Sequence, residues 1–335
     1  LRYAVVLFCV AVAACGGTPT AYRPQIEVFA KATGETSQFA RDLQATTTAS
    51  TIVRQRETIE RRKPHIAFDD AACAEAIIAR TSRLPGQPLE PLQVAVNEKC
   101  AWIAGDDIEL HDAFDTGSRL QASVSFLRAV EKYAAGLQLI ATSADKAGLV
   151  EATRGTVSAV ASLATTATSL AQEKPEKAPD LGAVSTLIGT IAFHVLEEMR
   201  GEALKQSARE ADKWIAEGSA AVARVLEEAN NELIRMANAR KNRLVDAANG
   251  AKGAPDYVVK VQAAQAAQIE LEQLVGRDPT APLLKLAKAH RALLASFDDP
   301  NLQVGPAIVA ALDLMDATQN ARTALDKGEL KGTKK

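Results

Sequence analysis

Asp106, Asp107, Glu109, His111, Asp112 and Asp115 put five carboxylates and an imidazole within ten residues, the densest set of metal-capable ligands in the chain. Hard divalent cations favour such oxygen ligands. The spacing nevertheless fits neither an EF-hand loop, with glycine at its sixth position and glutamate at its twelfth, nor a zinc pair. Acidic residues ahead of a helix are favoured by its dipole in any case, so the cluster reads as a solvated helix start. His194, followed by Glu197 and Glu198, lacks the Glu-x-x-His and His-Glu-x-x-His arrangements of helical metal sites and reads as a core or interface histidine. His65 and His290 are isolated among charges. Phosphate-cradling glycine loops and a nucleophile elbow are missing, and Gly182 and Gly189 read as helix-packing contacts. With four histidines and no assembled acid–base set, the chain is expected not to be an enzyme, to hold no metal and to need no cofactor.

The four cysteines carry more information, and their meaning depends on the segments around them. Arg2 is followed by an apolar run of eleven residues, Ala4 to Ala14, and then by Cys15, Gly16 and Gly17. One cation, a short apolar stretch and small residues before a cleavage point have the form of a secretory signal. Eleven residues are too few to cross ~30 Å of hydrocarbon as a helix. Val12, Ala13, Ala14 and Cys15 together resemble the lipobox of bacterial lipoproteins. The resemblance implies that Cys15 is diacylated and becomes the new N-terminus, and that Cys9 leaves with residues 1–14. It also implies a lipid-anchored place in the bacterial cell envelope. Gly16, where aspartate would signal retention, resembles lipoproteins sorted to the outer membrane, facing the periplasm.

Cys73 and Cys100 then remain. In an oxidising compartment they most simply pair as a disulfide, closing a turn-rich loop that holds Pro85, Gly86, Pro88 and Pro91; in the chain-entropy model such a loop stabilises the fold by about 3–4 kcal/mol. The alternative is two separate buried thiols behaving as small hydrophobes. Net charge is −2, which gives no electrostatic case for nucleic acid. Apolar residues make up 47% of the chain and aromatics only 4%, and much of the apolar share is alanine. That balance favours helices packed through small side chains over strands.

The elements that would position these residues are helical throughout. After a tether over residues 15–23, a helix is expected from Pro24 to about Arg62, ended by Pro64. Asp69 and Asp70 open a second helix, to about Ser82, that carries Cys73. A short helix from Leu92 to Ile103 would carry Cys100, making residues 64–116 a disulfide-bearing cap. Gly117 to Ser143 is amphipathic, with Leu120, Val124, Leu127, Val130, Leu137 and Ile140 on one face. Residues Glu197 to Asn249 show a coiled-coil-like seam of Leu204, Ala208, Ala211, Ile215, Gly218, Val222, Val225, Ala229, Leu233 and Met236. Further helices are expected from Asp256 to Val275, Pro282 to Phe297 and Val304 to about Leu325, before a basic tail over 327–335. No segment has strand periodicity. Short connectors make successive helices antiparallel neighbours, so the fold class is all-α: an elongated up-and-down bundle over residues 24–326 with long coiled-coil-like helices.

One segment stands apart. Gly155 to Ala171 and Leu181 to Leu196 carry no charge and flank a polar connector containing Pro175 and Pro179, forming a helical hairpin over 155–196. In organisation it resembles the apolar hairpin of helical pore-forming toxins. That resemblance implies that Val157, Val160, Leu163, Leu181, Val184, Leu187, Ile188 and Ile191 would face lipid. Each arm falls short of the ~20 residues that span a bilayer comfortably, and small residues equally let two helices pack within a core, so the core is the expectation. The whole chain is therefore expected to be an envelope lipoprotein whose bundle is a structural or protein-interaction module. Its partners would be membrane lipid, through acylated Cys15, and another envelope protein or a second copy. The alternative is a membrane-active protein that deploys the hairpin.

Overall fold

A computed structural model of the chain describes residues 19–62, 66–67, 70–82, 95, 99, 103–104, 112–171, 196–298 and 304–329. The fold is an all-α helical bundle. A 3₁₀ turn, Pro19–Tyr22, leads into α1 (Arg23–Arg62). The remaining helices are α2 (Asp70–Thr81), α3 (Asp112–Thr142), α4 (Lys146–Ala171), α5 (Leu196–Gly250), α6 (Tyr257–Val275), α7 (Ala281–Asp298) and α8 (Gly305–Glu329). Two departures from the sequence expectation concern local structure. Ile66–Ala67 (β1) pairs antiparallel with Ile103–Ala104 (β2), Ile66 opposite Ala104, so Ile103 is a strand residue and not the end of a helix. Each strand is only two residues long, too short for any alternation to register in the sequence. The last tether residues are also ordered: Tyr22 packs edge-on against Phe297, ring centroids 5.1 Å apart.

The helices hold through sequences that propensity alone disfavours. In α1 and α4 the Ser and Thr hydroxyls bond back to carbonyls one turn earlier: Thr36 to Ala32, Thr47 to Leu43, Thr153 to Leu149, Thr156 to Ala152 and Thr168 to Ala164. Each hydroxyl is satisfied within its own helix, so the charge-free arm Gly155 to Ala171 can turn one face into the core without orphaned donors there. Helix starts are capped where the sequence places aspartate. Asp145 Oδ1 accepts from the Gly148 N–H at 2.7 Å. Asp278 Oδ1 accepts from the N–H groups of Thr280 and Ala281 at 2.9 and 3.1 Å ahead of α7. The turn after α5 uses Gly253 at φ +89°, a conformation that side chains with a Cβ rarely adopt.

The chain divides into two compact units. The first comprises Leu1–Asp42, Ala122–Glu228 and Gly276–Lys335. Its core is built from large side chains: Ile26, Phe29 and Phe39 of α1, Phe126, Tyr133 and Leu137 of α3, Leu163 of α4, Ile215 and Val222 of α5, Leu286 and Leu293 of α7 and Leu314 of α8. Two glycines set its closest approaches. A Cβ on Gly218 would collide with the Phe126 ring, and one on Gly136 would collide with the Thr156 hydroxyl. Here the entropic cost of glycine in a helix is exchanged for close packing.

The second unit comprises Leu43–Gln121 and Ala229–Val275. Its buried apolar side chains, among the described residues, are Leu43, Leu120, Leu233 and Leu274 with Cys73 and a set of alanines, Ala76, Ala229, Ala237, Ala248, Ala251 and Ala267. Arg240 Nη1 donates to Glu270 Oε2 at 2.9 Å, fixing α6 to α5.

Candidate functional site

The seam on α5, whose spacing suits an external partner as well as a core, is consumed by packing. Leu204, Ala208, Ala211, Ile215, Val222, Val225, Ala229 and Leu233 are all buried, and Gly218 receives Phe126. Their 3- and 4-residue spacing marks them as core and leaves no free stripe on that face.

The most developed polar constellation is one that sequence reading passed over. His290, on α7, is fully buried in the first unit between α3 and α5 residues. Its Nδ1 lies 3.0 Å from Asp212 Oδ1 on α5, and its Nε2 lies 3.0 Å from the Tyr133 hydroxyl on α3. A carboxylate only accepts, so Nδ1 carries the proton and donates to Asp212, and the bare Nε2 accepts from the Tyr133 hydroxyl. The Phe29 ring completes the enclosure, its centroid 5.9 Å from the imidazole.

The electrostatics follow from this arrangement. Burial holds the His290 imidazole below its ordinary pKa, with the neighbouring Asp212 carboxylate opposing that and Arg291 adding to it. The hydrogen bond from His290 holds the partly exposed Asp212 carboxyl below the usual carboxylate range. Burial, then the Asp212 charge, pushes the Tyr133 phenol well above its usual value. The order carboxylate, imidazole, hydroxyl is that of a nucleophilic relay. The hydroxyl here is a fully buried phenol held protonated, so it meets no external substrate. What the constellation does is tie α3 and α5 to α7, because the buried imidazole is satisfied on both nitrogens only when Tyr133 and Asp212 are in place.

The signal for His290 was present in its phase. Leu283, Leu286, His290, Leu293 and Phe297 step by three and four residues along α7, and all five are buried. Charged neighbours in the sequence obscured that periodicity.

Other candidates take these places. Leu163 and Val160 of the uncharged arm are buried in the first unit. Val184, Leu187, Ile188 and Ile191 lie outside the described residues, as do His65, His111 and His194. Cys73 is buried on α2, while Cys15 and Cys100 lie outside the described residues. Glu197, next in line after His194, accepts from Arg200, whose buried guanidinium also donates to the Ser143 carbonyl and, at 3.3 Å, to the Ser143 hydroxyl. A 260 Å³ groove in the first unit is lined by Arg23, Ile26, Glu27, Gln138, Leu139 and Thr142. Its two charged residues pair with each other at 2.7 Å. Among the described residues there is no cluster of three or more metal-capable side chains, and no helix long and apolar enough to cross a membrane.

No protein-family model matches the chain, and neither does a curated protein or a solved structure.

Proposed function

We propose that the chain is a lipid-anchored protein of the bacterial cell envelope whose helical bundle serves as a structural or protein-interaction module. The observation that carries this is the run Val12, Ala13, Ala14 and Cys15 behind the apolar stretch from Ala4. Such a leader delivers the chain to the outward face of a membrane, and an acylated Cys15 keeps it there. The bundle is suited to a scaffold: the imidazole and phenol of the first unit's polar constellation are closed off from solvent and its helices are locked by interdigitating side chains. A Cys73–Cys100 disulfide belongs to the same reading. It is supported by the burial of Cys73 and by the oxidising compartment that the leader implies.

The test is the intact mass of the product recovered from membranes. Loss of residues 1–14 with gain of a diacylglyceryl group is expected, and Cys15→Ser should move the protein from the membrane fraction to the soluble one. An unmodified N-terminus with the leader retained would overturn the anchor, the compartment and the disulfide together. The second reading, an inserting hairpin, is weakened by the burial of Val160 and Leu163. Liposome leakage should accordingly be absent, and unchanged by Ile188→Lys.

A further inference from the structure

We propose that one end of the first unit, the end where α1 begins, rests on the phospholipid surface that holds Cys15. This rests on the anchor reading and deepens it by naming the face turned to the membrane. Several helix termini of the unit collect at that end. Tyr22 leads into α1, and its ring packs on Phe297, one residue before the end of α7. The groove beside Arg23 is closed by Gln138, Leu139 and Thr142 at the end of α3. Arg200, in the second turn of α5, donates to the Ser143 carbonyl just past α3, and α4 starts a few residues on, at Lys146.

The length of the tether says what lies against this end. Pro19, the first residue of the 3₁₀ turn, is four residues past Cys15, and a chain gains at most ~3.6 Å per residue, or ~14 Å over that stretch. A diacylglyceryl group sits at the edge of the hydrocarbon, beneath a headgroup layer roughly 5–8 Å thick. Even drawn straight, the tether therefore holds the start of α1 within roughly 15 Å of the headgroup surface.

The exposed residues suit that contact. Leu139 is 60% exposed, and Pro24, Thr142, Ala144 and Ala147 are exposed beside it. The charges around them are matched: Arg23 to Glu27 at 2.7 Å, Arg200 to Glu197, and Asp298 to Lys205 and Arg209 at 2.6 and 2.9 Å. Asp145 and Lys146 stand side by side with opposite signs, and the exposed Glu198 adds a carboxylate. A surface that seeks anionic lipid carries an excess of Lys and Arg. This one is balanced, so the contact is made by confinement: the tether keeps a small, mostly uncharged face at high effective concentration against the headgroups.

The test uses the full acylated chain in vesicles of phosphatidylethanolamine and phosphatidylglycerol that carry a nitroxide quencher on the headgroup. A fluorophore is attached to a single added cysteine at one end or the other of α4, Ala147→Cys or Ser169→Cys. Both positions are exposed and lie 22 residues apart on one helix, a separation of ~33 Å. The parent chain gives the labelling background from its own cysteines. Quenching is expected to be several-fold stronger at Ala147→Cys than at Ser169→Cys, with Leu139→Cys matching the former, and to keep that order in phosphatidylcholine alone. Equal quenching at the two ends of α4 would mean that the unit lies on its side, and would overturn the proposal. So would stronger quenching at Ser169→Cys, none at any position of an acylated chain, or an order that vanishes without anionic lipid. Intact mass tells the two failures apart. An unacylated chain quenched nowhere brings down the anchor reading and the contact with it; an acylated chain with the wrong order leaves the anchor standing and removes the contact alone.

Discussion

Helices α6 and α7 follow one another in the chain, contain 19 and 18 residues and draw on the same apolar residues, yet they use them in opposite directions. In α7 the large side chains share one phase, Leu283, Leu286, Leu293 and Phe297 with His290 among them, and all are buried. In α6 they fall in two groups, Val258 and Val259 at one end and Ile269 to Val275 at the other, separated by alanine and glutamine. No single face collects them. Alanine and leucine suffice to seat α6 on its unit, and the β-branched Val258, Val259, Ile269 and Val275 are left outside. Apolar content by itself therefore says little about burial; the phase of the large side chains decides it.

The contrast is easiest to break from the buried side. Leu286→Ala and Leu293→Ala remove fully buried side chains from a core already filled by Phe29, Tyr133 and Leu137. Each should lower unfolding free energy by about 2–5 kcal/mol, read from denaturant melts followed by circular dichroism. A loss below about 1 kcal/mol in both would mean that α7 is not a core helix. Next in size is Gly218→Ala. Against the usual helix preference for alanine, the added methyl would strike the Phe126 ring, and a destabilisation of about 1–3 kcal/mol is expected. Phe126→Leu in the same chain should recover part of it, since the two changes share one contact.

The buried relay sharpens the comparison, because it is a polar cost that α7 carries and α6 does not. Tyr133→Phe leaves His290 Nε2 without its donor, for about 1–3 kcal/mol. The pH dependence has a definite sign. His290 is held below its ordinary value in the fold by burial, so between that lowered value and about 6.5 the unfolded chain binds more protons than the native one. Stability is therefore highest above pH ~6.5 and falls as pH drops through it. Asp212, also held low, extends the loss below about pH 4. Tyr133, held high, removes stability above about pH 10. His290→Asn can still donate toward Asp212 but does not titrate, so it should flatten the slope below pH 6.5 even though it lowers stability overall. An unchanged slope would locate the titration elsewhere.

Much of the architecture was legible because it is written in punctuation and phase. Pro24 and Pro64 bracket α1, Asp70 opens α2, Gly253 and Pro255 mark the turn before α6, and the heptad spacing of α5 identifies residues that are buried. What was not legible depends on contacts distant in sequence. Asp212 and His290 are 78 residues apart and Tyr133 is 157 from His290, so no local spacing could announce the relay. The same limit applied to α5, where a seam spacing fits an external partner and an internal one equally well; only the position of Phe126 against Gly218 decides between them. The β1–β2 pair is a third case, since two-residue strands have no period to detect.

The smallest expected effect tests the exposed half of the comparison. Val258→Ala and Ile269→Ala delete side chains already more than half exposed, and each should change unfolding free energy by no more than about 0.5 kcal/mol. The informative measurement is Ile269→Ala beside Leu293→Ala under identical conditions, because both remove three carbons from a helix of similar length. A several-fold difference is expected. A cost for Ile269→Ala matching that of Leu293→Ala would show that its side chain is enclosed within its own unit, and the contrast between α6 and α7 would fall with it.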